Sequence, residues 1–254
     1  STLFPYTTLF RSPYSDEQRD VVKNEKRQNE NQPYGRVFEA LVAASYPGGH
    51  PYRWLPIGSM EDLDAASLDD VKEWFRSYYG AANATIVLAG DIDLKTAREK
   101  MQRFFGHIPG GTEPTALSAW VAPREEATRQ VMLDRIAQTR VYRAHNMPGF
   151  GTEDTALLEL AAHILGGGKT SRLYERLVYR DRLADSAAAS ANPFEISGIM
   201  LFTSDVKSGV DHGKVEAILD EEVRKFLKSG PTRAELDAAI WRSEERRVGK
   251  ECRS

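Results

Sequence analysis

Arg19-Asp20-Val21-Val22-Lys23-Asn24-Glu25-Lys26-Arg27-Gln28-Asn29-Glu30-Asn31-Gln32-Pro33-Tyr34-Gly35 reads as a charged helix that closes on a proline turn. On a helix, residues three and four apart share a face, so Glu25 lies one turn above Val21 and Val22, the apolar pair. Lys23, Lys26, Arg27 and Glu30 spread around the rest. Glu25 is therefore expected to point inward. A buried carboxylate has to be paired, hydrogen-bonded or bound to a metal, and no cation shares its face, which leaves a metal or a distant cation. The alternative is an ordinary solvated glutamate on a charged helix.

Outward from this stretch, Pro33 ends the helical pattern, and Val37, Phe38, Leu41 and Val42 give a second amphipathic helix before Pro47-Gly48-Gly49. His50-Pro51-Tyr52-Arg53-Trp54 and Pro56-Ile57-Gly58-Ser59 form a loop that packs its own side chains. His50 reads as hydrogen-bonded structure, because its neighbours supply no second metal ligand at i+4. Ser67 caps a helix with Asp69 and Asp70 in its first turn, and Leu68, Val71, Trp74, Phe75 and Tyr78 make it a core helix. Asn83 to Asp91 is apolar and β-branched, hence a buried strand. Asp91, between that strand and a helix from Leu94 to Phe105, is expected to bond free backbone amides at the helix start. Pro109 to Pro123 is the best linker in the chain.

Beyond it, Thr128 to Leu133 and Gln138 to His145 alternate as paired strands. Thr152-Glu153-Asp154 opens a helix that stops at Gly166-Gly167-Gly168, and another spans Ser171 to Arg182. Ala184 to Asn192 and Ile196 to Asp205 look like an antiparallel pair. A long helix through Val215, Ile218, Leu219, Val223 and Leu227 then runs to Gly230, and a last one spans Thr232 to Arg242. Helices and strands in blocks, without strict alternation, indicate an α+β fold of antiparallel sheets flanked by helices. Gly166-Gly167-Gly168-Lys169-Thr170 invites a phosphate-loop reading, but the pattern's first glycine would be residue 163, which is His. The turn also follows a helix where a strand is required.

Of the 254 residues, 41% are hydrophobic and 28% charged, as in globular proteins. A net charge of −3 gives no general electrostatic reason to expect nucleic acid or an anionic membrane as partner. No apolar run approaches the length of a membrane span. The first twelve residues and Ser243 to Ser254 fit no helix or strand period. They resemble translated sequencing-adapter sequence and are set aside from fold reasoning. Without Arg11 and a tail of four basic and three acidic residues, the net charge becomes −5, and the conclusion on partners stands. Cys252, the single cysteine, lies in that tail and is silent on compartment.

The run Arg19 to Gly35, with Val21-Val22, Asn24-Glu25-Lys26-Arg27, Asn31 and Pro33-Tyr34-Gly35, resembles the third-ligand helix of the pitrilysin/insulinase (M16) metallopeptidases, the inverted zincins. Residues 50–59, 83–91 and 165–177 resemble that family too. The resemblance implies Zn2+ as cofactor, with Glu25 as a metal ligand. In the family the other two ligands and the general base come from an upstream His-x-x-Glu-His, a motif this sequence does not contain. The chain is then expected to be an internal fragment. Residues 13–115 would be the C-terminal part of a first, zinc-site domain and 116–242 the N-terminal part of a second, homologous one. Residues 1–12 and 243–254 would be non-native.

Leu165 through Ser171-Arg172-Leu173-Tyr174-Glu175-Arg176-Leu177 resembles the second-domain signature of two-chain family members. In these, one chain carries zinc, and its partner carries an Arg and a Tyr, seven residues apart, that hold the substrate and polarise its carbonyl. Those positions here are Val178 and Asp185. The resemblance thus implies the zinc-bearing subunit of a metalloendopeptidase acting on peptides or unfolded polypeptides. A second pitrilysin-like chain would supply the Arg/Tyr pair, and the fragment alone would be inactive. The alternative is a catalytically inactive family member serving as a structural or processing-complex subunit. Bacterial members work in the periplasm or the cytoplasm, and the sequence does not choose between them.

Overall fold

The structure is a computed structural model that describes residues 12–112, 118, 124 and 126–241, with side chains from Glu17 onward. In chain order the elements are helices α1 (Ser12–Glu30), α2 (Val37–Ser45), α3 (Met60–Ala65), α4 (Leu68–Tyr78) and α5 (Leu94–Phe105), strand β1 (Arg140–Met147), helix α6 (Glu153–Gly166), a π-helical segment (Tyr174–Arg180), strands β2 (Ala184–Pro193) and β3 (Gly198–Val206), and helix α7 (His212–Ser229). Residues 233–241 are also helical. The fold is α+β, with one antiparallel sheet among the described residues, ordered β1-β3-β2. Residues 1–11 of the adapter-like leader, the adapter-like tail with Cys252 and most of the expected linker lie outside the described residues, while Ser12 opens α1.

The described residues group into two compact units. One takes in the residues up to Asn29 and those from Pro56 to Thr112; the other takes in Glu30–Leu55 and the residues from Ser118 onward.

In the first unit the helix starts are fixed by local polar chemistry. Ser59 Oγ accepts the Asp62 amide at 2.9 Å, opening α3. At α4 a capping box forms: Ser67 Oγ accepts the Asp70 amide at 3.2 Å, and the Asp70 carboxylate accepts the Ser67 amide at 2.8 Å. Each bond satisfies an amide that the first turn leaves without a helical partner. α4 begins where the sequence places it, α3 is an addition to the expected elements, and these helices do not form a core. No residue of α4 or α5 is buried. The expected strand at 83–91 is not formed either, as residues 84–89 carry no helix or ladder and all are exposed. A β-branched apolar run favours extended backbone, but a strand exists only where a neighbour completes its hydrogen bonds.

In the second unit, register decides which residues are buried. Arg140 pairs with Asp205 and Met147 with Gly198 across β1 and β3, and Ser186 to Pro193 pair with Asp205 to Gly198 across β2 and β3. Side chains alternate across a strand, so Met200, Phe202 and Val206 of β3 face one side and Ile199 and Leu201 the other. The first side packs with Leu165, Leu173, Leu177, Val215 and Leu219 into the main core. The second meets Val42, Tyr46, Tyr52 and Leu55 of α2 and its following loop. Burying each large apolar side chain contributes about 1.5–3 kcal/mol. β2, Ala184-Asp185-Ser186-Ala187-Ala188-Ala189-Ser190-Ala191, is built of small residues, and α6 comes down onto it at Gly166. A Cβ on that glycine would lie 2.0 Å from the Ala189 amide nitrogen.

Thr128 to Leu133, expected as a strand, carries no ladder, and Val131 and Leu133 are exposed. Alternation alone does not make a strand when no neighbour lies in register. The helix expected over Ser171 to Arg182 is instead mostly the π-helical segment, with the Asp181 amide bonding back five residues to the Arg176 carbonyl at 3.0 Å.

Candidate functional site

α1 carries the candidate metal ligand. Arg19 Nη2 donates to the Ala66 carbonyl at 2.7 Å, and Lys23 Nζ reaches the Asp64 carboxylate at 2.5 Å. The Lys23 ammonium holds the exposed Asp64 carboxyl below its usual value. Arg19, Val22, Lys23 and Lys26, spaced by three and four, are the covered stripe of the helix, and Lys26 is buried. Glu25 falls on the other side. It is exposed, and Val21, one turn below it, keeps 57% of its surface open.

The inward-facing acid expected from the sequence is therefore not found. Two valines in a nineteen-residue helix hold too little apolar surface to decide which side packs. Long polar side chains that find partners on α3 and just after it decide it instead. Chemically, Glu25 offers one solvent-facing carboxylate. A zinc site with an open position takes three protein ligands, and among the described residues no group of three His, Cys, Asp or Glu side chains is placed to hold a metal. The residues present do not fit a complete zinc centre.

His50 proves structural, as expected. It is fully buried, its Nδ1 accepts the Tyr52 amide at 3.0 Å, and its ring stacks on Tyr46 at 4.4 Å. The helix-start role expected of Asp91 belongs to Asp93, whose carboxylate accepts the Thr96 amide at 2.9 Å and the Thr96 hydroxyl at 2.6 Å. Asp93 stands immediately before the first helical residue and Asp91 two residues too early. A count back from Leu94 would have found it.

The triple-glycine turn follows α6, and Ser171 Oγ closes it by donating to the Gly168 carbonyl at 2.6 Å. Arg172 then forks onto Glu235, Nε to Oε1 and Nη2 to Oε2, both at 2.7 Å. This fork and the Thr232 amide hold the Glu235 carboxyl at about 2. Val178 packs against the main core, and Asp185 accepts from Gln138 Nε2 and lies 4.0 Å from Lys207 Nζ. Neither position presents a guanidinium or a phenol. A groove of about 440 Å³ beside α6, lined by Leu157, Leu160, Ile164, Phe226 and Leu236, is apolar and carries no catalytic constellation. No helix among the described residues is long and apolar enough to cross a membrane.

Comparison with known proteins adds the lineage. The family described as "Peptidase M16 inactive domain" matches residues 65–243. A relative from Helicobacter pylori named "Zinc protease PqqE" is 29% identical over 227 residues, covering 87% of this chain and 50% of its own. A second Helicobacter pylori relative, "Non-peptidase homolog YmxG", is 24% identical over 194 residues, covering 72% of this chain and 42% of its own. Among solved structures, that of a protease from Helicobacter pylori superposes with a TM-score of 0.81 at 25% identity, over 94% of this chain and 59% of that one. The chain spans about half the length of the curated relatives it matches. Glu25 lies before the matched range.

Proposed function

The chain belongs to the peptidase M16 family, through the domain described as inactive, and from that premise we propose that it is part of a zinc-dependent metalloendopeptidase acting on peptides or unfolded polypeptides. The name zinc protease, borne by a relative that matches along 87% of the chain, supports the class. Glu25 supplies the anionic metal ligand. What supports this role is the resemblance of the run Arg19 to Gly35 to the family's third-ligand helix; Glu25 itself stands exposed on α1, so its partners in a site have to come to it from outside the helix. The remaining ligands and the general base come from sequence beyond this chain, so the chain alone is inactive. Zinc, when bound, supplies a polarised carbonyl and a water of lowered pKa; this chain supplies one ligand and the second-domain scaffold.

The domain division follows the same reading, with 13–115 belonging to a zinc-site domain and 116–242 to a homologous second one. Val178 and Asp185, where an Arg and a Tyr would hold substrate, favour a second pitrilysin-like chain that completes the site. The name of the non-peptidase relative favours one alternative, an inactive family member with a structural role. The reading frame upstream decides between them: an intact His-x-x-Glu-His goes with the enzyme, and its loss with the scaffold.

Zinc titration of this chain by calorimetry tests the division of ligands. We expect no binding tighter than about micromolar, because one carboxylate is not a site. Tight one-to-one binding that Glu25→Gln removes would overturn it by placing a whole site within the chain.

A further inference from the structure

Between α1 and α2 the chain turns through Asn31-Gln32-Pro33-Tyr34-Gly35-Arg36. Tyr34 makes this turn at φ 63°, in the left-handed region that glycine enters freely and a bulky side chain does not. Gly35 stands beside it and is not used for the purpose. Strain of this kind persists only where the surroundings fix it, and it collects at clamps and functional sites. Here the fixing groups come from the second unit. The Tyr34 hydroxyl donates to the Gln138 carbonyl at 2.7 Å, and the Arg140 guanidinium lies 4.1 Å from the centre of its ring. Arg140 is itself held, with Nε on the Asp205 carboxylate at 2.5 Å, and that carboxylate also accepts from Ser186 Oγ at 2.6 Å. These three residues stand on β1, β3 and β2, so all three strands back the ring. Two residues beyond Tyr34, Arg36 Nη2 donates to the Leu133 carbonyl at 3.0 Å. α1 runs unbroken into this corner: its last residue, Glu30, is the first grouped with the second unit.

We propose that Tyr34 is a positioning residue: its side chain pins the corner between α1 and α2 to the sheet of the second unit, and so fixes the end of the helix that carries Glu25. The proposal rests on the reading of Glu25 as a metal ligand. It gives the domain described as inactive a task, holding the helix that presents the ligand. A glycine at position 34 would give the same turn without strain but also without an anchor. The strained tyrosine supplies the anchor.

Hydrogen exchange read by mass spectrometry on this chain and its Tyr34→Ala, Tyr34→Gly and Tyr34→Phe variants tests the anchor. Tyr34→Ala keeps the strain and loses the side chain, so the amides of 24–37 should exchange at least about 10-fold faster while those of β1 and β3 keep the wild-type rate. Tyr34→Gly, free of strain, should still exchange faster than wild type over 24–37. Tyr34→Phe keeps the ring under Arg140 and loses one hydrogen bond, so it should stay within about fivefold. Wild-type protection in Tyr34→Gly would overturn the proposal, because the backbone alone would then set the corner. Faster exchange spread equally through β1 and β3 would overturn it too, because the side chain would then support the whole unit. In the full-length protein from the same gene, Tyr34→Ala should weaken zinc binding about 10-fold and Tyr34→Phe should restore it to within about twofold of wild type. Unchanged zinc affinity in Tyr34→Ala would overturn the positioning role. The ligand reading fails on a different result, zinc retained by full-length Glu25→Gln, and the exchange comparison does not depend on it.

Discussion

Glu235→Gln should destabilise the second unit at neutral pH and progressively less in acid. The Glu235 carboxylate takes both arms of the Arg172 fork at 2.7 Å and the Thr232 amide at 2.7 Å, and its pKa is held at about 2 against 4.5. At about 1.36 kcal/mol per pH unit, that difference sets an upper bound of about 3.4 kcal/mol. The Glu235 side chain keeps 29% of its surface open to water, so solvent screening brings the expected loss to about 1–2 kcal/mol. Folding lowers this pKa, so the unfolded chain binds the proton more readily. The stabilisation is full above about 4.5 and disappears as pH falls through about 2. At pH 3 about two-fifths of it should remain. Urea unfolding of both proteins, followed by circular dichroism at pH 7 and pH 3, reads this directly. A gap between the two proteins that is the same at both pH values, or absent at pH 7, would refute the assignment of the fork as a stabilising pair.

Leu177→Ala and Leu219→Ala remove side chains with almost no exposed surface from the main core, and each should cost about 2–5 kcal/mol in the same unfolding assay. Gly166→Ala would ordinarily favour a helix by about 1 kcal/mol. Here it should lower the melting temperature, because its methyl would meet the Ala189 amide at 2.0 Å. Glu25→Gln should change the stability of this chain by no more than about 0.5 kcal/mol in a thermal melt, since the side chain is exposed. A larger loss would give Glu25 a structural role in place of the ligand role.

The sequence was most informative where its signals are local. Ser67 with Asp70 announces the start of α4, and Ala184 to Asn192 with Ile196 to Asp205 reads as the antiparallel pair that β2 and β3 form, because caps and hairpins are made by residues close in the chain. It was least informative where a distant partner decides. Ile86-Val87-Leu88 has the composition of a strand, but pairing is a property of two segments and one was read. Trp74 and Tyr78 lie on a well-formed amphipathic face, and periodicity says which residues share a face without saying what lies against it. Glu25 illustrates the same limit at the candidate site. Its position on α1 was readable, but its side was set by Lys23 reaching Asp64, forty-one residues away, a contact no spacing rule contains. The π-helical backbone of Tyr174–Arg180 likewise leaves little trace in an apolar period close to that of an α-helix.

The ligand assignment is tested most directly by zinc content. Full-length protein from the same gene, purified alongside its Glu25→Gln variant, should hold one zinc per chain by atomic absorption. The variant, equally folded by circular dichroism, should bind zinc at least about 100-fold more weakly, a loss at the upper end of what even an outer ligand partner costs. A folded variant that retains its zinc at full occupancy would contradict the account.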